Sequence, residues 1–581
     1  MNDKTEVRGS KGGDPFAPGD ELLFCALGGS AEIGMNVNLY GCRGKWLMVD
    51  LGMTFGAAEY PGTELVFADL EFIEDRRDDL LGVVLTHAHE DHIGAVPYFA
   101  EALGVPLYAT PFTARLVKAK LEEAGIAGDV DLRVIDHLDP FSLGDFTMRY
   151  VPLAHSIAEG NALVIETPHG RIFHTGDWKL DDEPLIGTPA TAEELTAIGD
   201  AGVLALVCDS TNVFNPQGSG SEGEVARGLM EEVARHKGRR VVVTTFASNV
   251  ARLQTLGRVA RETGRQLCVA GRSLDRIIAT AKASGYLRDL PELVDVQTAM
   301  DLPRGDVLIL ATGGQGEPRA ALARIADGNH PVKLEAGDVI LFSSRQIPGN
   351  ELAIGKIMNQ LAGQGIELVT DRQALIHVSG HPGRPELEAL YGWIRPRVLV
   401  PVHGEVRHMR EQAALGKARG IPSVVRQVNG DLVRLAPGAP GRIAQVRAGR
   451  LILDGDIIAP ADGEAMVMRR RLAHNGIVVV AIADGGVIEV DALGLPLVED
   501  HADFVAEAEA DVATALAKLK GAMRRERGAV AEAARLAARR AATRWCGKKP
   551  QVKVMLLEKG LVDGGEAVAQ AGRAKGKRGR R

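Results

Sequence analysis

No apolar run in this 581-residue chain approaches the roughly 20 residues needed to span a bilayer. The first twenty residues are rich in Gly, Asp and Lys and lack the apolar core of a secretory signal. Together these absences predict a cytoplasmic protein with no membrane association. Cysteine is scarce as well. The five residues Cys25, Cys42, Cys208, Cys268 and Cys546 are odd in number, widely spaced and mostly set inside apolar runs. That pattern argues against a disulfide framework or a Cys-based zinc site and fits buried free thiols in a reducing compartment. No internal repeat is evident. Net positive charge is also missing: the formal charge is −8, which argues against a nucleic-acid footprint over the whole surface. A basic channel remains compatible with that balance, and the extreme C-terminus, 573–581, is densely basic.

What is present is ordinary for a soluble globular protein: 45% hydrophobic and 25% charged residues, in a chain long enough for about two to four domains. Over the first 430 residues strands and helices alternate. Short β-rich runs at Leu22–Leu27, Trp46–Asp50, Gly82–Thr86, Ala162–Thr167, Arg171–His174 and Val203–Cys208, with a turn at Pro168-His169-Gly170, predict an α/β sandwich. From Ser221 the texture becomes regular strand–helix units: a helix to His236, strand Arg240–Thr245, helix Ala247–Glu262, strand Gln266–Ala270, and strands Asp306–Ala311 and Asp338–Ser343. These predict a doubly wound parallel insert. Between 371 and 430 the earlier style resumes. The expected division is therefore a first domain at 1–220, an inserted domain at 221–370 and the first domain's second part at 371–436. A Gly/Pro/Ala-rich linker at 437–463 follows, then a small α+β domain at 464–560 with a helix near Ala529–Arg544 and a strand Gln551–Glu558. A basic tail at 561–581 is expected to be disordered, either solubilising or tethering RNA.

The segment Thr86-His-Ala-His-Glu-Asp-His-Ile-Gly-Ala95 places His87, His89, Asp91 and His92 within six positions, directly behind the apolar run Leu80–Leu85. Imidazoles and a carboxylate are ligands that zinc and manganese accept, and alternate positions at a strand end can converge on one ion while the next turn reaches a second. Two ions would each need one more imidazole, and a shared carboxylate would hold them about 3.5–4 Å apart. Three residues at strand ends suit those needs: His155 after Thr147–Leu153, Asp177 after Ile172-Phe-His-Thr-Gly176, and His403 after Val398–Val400. His174, beside Asp177, reads as structural.

These motifs resemble the metallo-β-lactamase superfamily, and more closely the ribonuclease J family of its β-CASP branch. The resemblance covers nearly the whole chain. It is carried by Thr86–Gly94, His174-Thr-Gly-Asp-Trp178, Cys208-Asp-Ser-Thr-Asn212, Thr244-Thr-Phe-Ala-Ser-Asn249, Thr312-Gly-Gly-Gln-Gly-Glu-Pro318, Ile347-Pro-Gly-Asn-Glu351, His377-Val-Ser-Gly-His381 and Pro401-Val-His-Gly-Glu405. It implies an αββα sandwich interrupted by a β-CASP parallel α/β domain, with a small α+β domain after it. It implies two divalent ions per subunit, zinc with manganese as the alternative: His87, His89 and His155 on one, Asp91, His92 and His403 on the other, Asp177 bridging.

The same resemblance makes Asp91, Asp209 and His381 catalytic. His381 would touch the scissile phosphate or protonate the leaving oxygen, and Asp209 would orient a metal ligand, unless it merely caps the following turn. Substrate phosphate would be held by His377, Val378, Ser379, Gly380 and His381, and by Phe246, Ala247 and Ser248, where a strand gives way to a helix and Phe246 can stack on a base. Ser343, Ser344 and Arg345 either make such contacts or form a simple strand-end turn. The implied activity is hydrolysis of single-stranded RNA, 5′-to-3′ from 5′-monophosphate ends and also endonucleolytic, in RNA maturation and decay. The implied assembly is a homodimer or homotetramer, with other RNA-decay or ribosome-associated factors as further partners. Ala88, Ala95, Gly314 and Pro382-Gly-Arg384 depart from the commonest family pattern without removing a metal ligand, and leave the balance of exo- and endonuclease action open. A DNA-processing relative, a small-molecule metallohydrolase and a silent RNA-binding scaffold are the competing readings. The long insert argues against the small-molecule hydrolase, and the complete ligand set against the scaffold.

Overall fold

The apolar run before the histidine cluster forms the strand Leu80–Val84, which is largely buried and sits within an eight-stranded mixed sheet. The sheet runs in the order Gly441–Gln445, Asp431–Ala436, Leu22–Gly28, Val37–Cys42, Lys45–Val49, Leu80–Val84, Leu107–Ala109 and Leu132–Val134. In the computed structural model, residues 16, 18–56, 59–136, 139–317, 319–345, 350–483, 486–497 and 499–557 are described. A second sheet of seven strands runs Phe141–Leu143, Phe146–Pro152, Asn161–Thr167, Gly170–His174, Ala205–Asp209, Val398–Val402 and Ser423–Val424.

The two sheets share one core. Phe24, Tyr40 and Val49 of the first pack with Met148, Ile165, Val207 and Val400 of the second. The period of two along a strand decides which side chains go there: Ala205 and Val207 enter this layer. Leu206 and Cys208 point the other way, against Leu195 and Ile198 of helix Ala192–Asp200 and Leu387, Leu390 and Ile394 of helix Arg384–Ile394. Strands buried on both faces need apolar residues at every position, which is why these runs show no polar alternation.

Strands Ala205–Asp209 and Val398–Val402 are far apart in sequence yet are parallel neighbours, in register from Ala205 with Val398 to Asp209 with Val402. Between them the chain builds a separate six-stranded sheet, parallel throughout, in the order Leu293–Val294, Gln266–Ala270, Val307–Ala311, Val241–Thr244, Val339–Phe342 and Glu367–Val369. Its helices begin where side chains can cap them. Ser221 accepts from the Gly223 N–H ahead of Glu222–Arg235, and Asn249 accepts from the Arg252 N–H ahead of Val250–Glu262. The expected mixed α/β architecture with a parallel insert is what the chain adopts.

The stretch 437–463, expected as a linker, instead carries strands Gly441–Gln445, Arg450–Asp454 and Ile457–Pro460. Its Gly and Pro residues are concentrated at 437–441, the turn that returns the chain antiparallel to Asp431–Ala436. The composition marked a hairpin turn, and the residues beyond it pair with the preceding strand.

The described residues fall into two compact units, one within 1–55 and 65–451 and the other within 56–64 and 452–557. The second unit has a three-stranded sheet, Ile477–Ala483 between Ile488–Leu493 (antiparallel) and Gln551–Leu557 (parallel). One face packs on helices His501–Ala517 and Arg527–Cys546 through Val478, Val480, Phe504, Ala534, Ala538 and Ala541. Residue 558 and the basic tail at 561–581 lie outside the described residues. No helix among the described residues is long and apolar enough to cross a membrane. Cys25, Cys42, Cys208 and Cys268 are buried free thiols, and Cys546 is partly buried.

Candidate metal centre

Each metal-competent side chain leaves the end of a strand or the turn that follows it. His87 and His89 follow Leu80–Val84, and the short helix Glu90–Ile93 brings Asp91 and His92 back over them. His155 comes after Phe146–Pro152, Asp177 after Gly170–His174, and His403 directly after Val398–Val402. Gly52 makes the return possible: a Cβ there would lie 1.8 Å from the Asp91 carbonyl oxygen, which accepts from the Asn36 N–H at 2.8 Å. His403 sits at φ +49°, a left-handed conformation costly for a non-glycine residue, held by its N–H donating to Gly29 O at 2.6 Å.

All seven predicted ligands converge, and they fall into two groups that share one carboxylate. His87, His89, His155 and Asp177 offer atoms within 4.8 Å of one another, as do Asp91, His92, Asp177 and His403. In the first, His89 Nδ1 lies 3.1 Å from His87 Nε2 and 3.0 Å from His155 Nε2. Asp177 Oδ2 is 3.9 Å from His87 Nε2 and 3.7 Å from His155 Nε2. In the second, His92 Nε2 is 3.2 Å from Asp177 Oδ2 and 3.7 Å from Asp91 Oδ2, and His403 Nε2 is 3.3 Å from Asp91 Oδ2. Ligands about 2.0–2.2 Å from a tetrahedral zinc stand roughly 3.3–3.6 Å apart, so these spacings suit an ion at the centre of each group. His403 also reaches the shared carboxylate directly, its Nδ1 lying 2.8 Å from Asp177 Oδ1.

The remaining ring nitrogens are mostly held by neighbours, which fixes which nitrogen faces inward. His92 Nδ1 donates to Asp50 Oδ2 at 2.7 Å, His155 Nδ1 donates to Gly380 O at 2.6 Å, and His89 Nε2 shares a hydrogen bond with Ser248 Oγ at 3.0 Å. Asp50 was not expected from sequence. It is fully buried and also accepts from the Thr86 N–H at 2.7 Å and hydroxyl at 2.9 Å. The signal was there: a charged residue ending the apolar strand Lys45–Val49 just before Gly52, the pattern that also marks Asp177.

Burial and neighbouring charge divide the imidazoles. Burial holds His87 and His155 well below the ordinary value and His89 down to about 4, with nearby histidines adding to the effect. Burial would lower His92 and His403 too, but Asp177 and Asp91 outweigh it and raise both well above the ordinary value. Burial alone would raise Asp177, yet His403 and His92 bring it well below the usual carboxylate range.

Asp209 ends strand Ala205–Asp209. Its Oδ1 accepts from the Thr211 N–H at 2.8 Å, so it does cap the turn, while Oδ2 lies 2.8 Å from His381 Nδ1 and Oδ1 is 3.7 Å from His403 Nδ1. Of the segment 377–381, only part is free to meet a ligand. The Ser379 hydroxyl bonds the backbone of His381, and Val378 is buried beside Gly220. Gly380 packs on His155: a Cβ there would meet the ring at 3.0 Å. Burial, then Arg252, pushes His377 down to about 3, and its Nδ1 is buried without a partner. Phe246, Ala247 and Ser248 are partly exposed at the end of strand Val241–Thr244, the first two lining a cavity of about 70 Å³ with Thr312, Gly314 and Gln315.

Ser343 is not available to a substrate. It is fully buried, donates to Ile376 O at 2.6 Å and receives Arg252, which also pairs with Glu222 at 3.0 Å. His174 is likewise structural, its Nδ1 lying 2.8 Å from the Tyr40 hydroxyl. The motif residues Pro318 and 347–349 lie outside the described residues.

Residues 36–197 match the model of the metallo-beta-lactamase superfamily, and 238–361 that of the ribonuclease J beta-CASP domain. Residues 365–426 match the Zn-dependent metallo-hydrolase RNA specificity domain, and 464–559 the ribonuclease J C-terminal domain. A solved protein of unknown function from Enterococcus faecalis V583 shares the fold, with a TM-score of 0.51 and 17% identity, over 71% of this chain and 100% of its own. Ribonuclease J of Mycolicibacterium smegmatis is 39% identical over 81% of this chain and 84% of its own length. Ribonuclease J of Sinorhizobium meliloti is 40% identical over 95% of this chain and 100% of its own, and with that extent of likeness the chain belongs to the ribonuclease J family.

Proposed function

We propose that this protein is a metal-dependent ribonuclease that hydrolyses phosphodiester bonds of single-stranded RNA. It works 5′-to-3′ from 5′-monophosphate ends and also endonucleolytically, in RNA maturation and decay. The observation that carries the reading is the sharing of Asp177 between two buried ligand groups, beside an insert whose Ser248 touches His89. Two divalent ions, zinc or manganese, would supply Lewis acidity there, activating water near neutral pH and offsetting charge on the phosphate.

The chain's own residues do the rest. His87, His89 and His155 would hold one ion and Asp91, His92 and His403 the other, with the Asp177 carboxylate available to both. Asp50 and Gly380 O fix the rings of His92 and His155. His381 is partly exposed and braced by Asp209; burial opposes its protonation, but Asp209 and Asp177 together raise its pKa above the ordinary value. A protonated His381 can therefore hydrogen-bond the phosphate or give its proton to the leaving 3′ oxygen. His377, kept neutral, and the Phe246–Ser248 turn hold the adjoining nucleotide. The domain division expected above, apart from the linker, is proposed with this reading, as are a cytoplasmic location and assembly as a homodimer or homotetramer.

The test is cleavage of one single-stranded RNA bearing a 5′-monophosphate or a 5′-triphosphate, with zinc or manganese, by native protein, Asp91→Ala and His381→Ala. Mononucleotide release from the monophosphate RNA, lost in both variants, is the expected result. Intact RNA with native protein, or undiminished cutting by the variants, would overturn the assignment.

A further inference from the structure

The strand that carries Asp209 runs into the turn Thr211–Phe214. Val213 is fully buried in the core beneath, so the turn is anchored there, and Phe214, next in sequence, stands 49% exposed. A single exposed apolar residue needs no explanation. This one differs in its setting. Its ring lies 5.2 Å from that of the buried His408, and the Arg407 guanidinium stands 6.0 Å from its centroid. These two side chains are its ring neighbours, and the residue still keeps about half of its surface open.

The same turn reaches the metal centre at two points. The Thr211 hydroxyl donates to His403 O at 2.8 Å, and Asn212 Nδ2 donates to His381 O at 3.1 Å. Phe214 is thus at most roughly 10 Å of chain from a residue touching His403. Ser248, by contrast, approaches the centre through His89. The local charge is mixed: Arg407 Nε donates to Glu405 Oε2 at 2.7 Å and Arg384 pairs with Glu411, while Arg410, one turn beyond Arg407, is exposed. Arg407 remains largely exposed and keeps other N–H groups for a phosphate.

We propose that Phe214 and Arg407 form a stacking platform for an unpaired base of the RNA strand flanking the scissile phosphate. The inference rests on the ribonuclease reading above and adds a contact to it. Every base has a π-face, so the platform binds without sequence preference, and Arg407 adds a cation to the base or its phosphate. A base held in a duplex is already stacked on its neighbours, so the platform favours single strands.

The experiment uses the full-length protein under chelator, where no cleavage occurs, and RNAs carrying 2-aminopurine at successive positions. Native protein and Phe214→Trp should quench the fluorescence at positions beside the cut. Phe214→Ala should lose that quenching and bind roughly ten-fold more weakly. With metal restored, KM should rise by a similar factor in Phe214→Ala while kcat changes little. Equal binding and quenching by Phe214→Ala and native protein would overturn the platform, and so would an equal loss in the Ala and Trp variants, which would indicate a packing role. Native protein that neither binds nor cuts RNA would instead overturn the ribonuclease reading and the platform with it.

Discussion

The two ligand groups share Asp177 and similar burial, yet their imidazole pKa values are shifted in opposite directions. The His87, His89 and His155 group is rich in imidazole and poor in carboxylate, so burial prevails and the rings stay neutral, with their lone pairs free. In the second group Asp91, Asp177 and Asp50 crowd around His92, and Asp91 and Asp177 around His403, so the pKa of each ring is raised and its protonated form favoured. The difference teaches that one centre can contain a preformed site and a site that must release protons to load. It follows from the ratio of carboxylate to imidazole at equal burial.

The sharpest way to break this comparison is to remove what the groups share. Asp177→Ala should empty both and reduce cleavage by more than about 100-fold, beyond the range typical of outer partners. Zinc content by mass spectrometry checks it, and retention of two ions would refute the shared role.

A second test separates the groups by pH. Protons compete for His92 and His403 in the ion-free protein, because their pKa values lie above the ordinary one, so affinity for the second ion must fall as pH drops. The first group competes with protons only at much lower pH, since His89 is held to about 4. Dialysis at stepwise falling pH should therefore release one ion before the other. Loss of both in a single step would contradict the division.

The smallest expected effect sharpens the comparison from outside. Asp50→Asn leaves the shape of the His92 contact and removes its charge, so affinity for the second ion should fall about 10- to 100-fold with the first unchanged. Calorimetric titration with zinc would read both sites at once. A matching loss at the first site would mean that Asp50 supports the fold around Thr86 rather than His92.

Parts of the site were legible for different reasons. His87, His89, Asp91 and His92 lie within six residues, so a local pattern was enough. His155, Asp177 and His403 lie far apart, and what marked them was a polar residue closing an apolar run; Asp50 closes one too, and went unread because no metal-ligand count required it. Ser343 showed the reverse error. A serine at a strand end suggests a phosphate contact, but a buried Arg252 from a neighbouring helix takes its hydroxyl. Amphipathic spacing does not reveal a buried arginine. The hairpin after 436 was hidden because Gly and Pro signal a turn and a linker alike.

By itself the sequence determined the alternation of strands and helices, the parallel insert, the residue types of the centre and which of them end strands. These depend on short-range periodicity and side-chain chemistry. Tertiary structure alone decided that strands on either side of a long insert are neighbours, that Asp177 lies between two groups, that Gly380 O orients His155 and that the pKa values of one set of imidazoles are lowered and those of the other raised. Pairing, burial and the sum of nearby charges arise from residues hundreds of positions apart, and no local pattern encodes them.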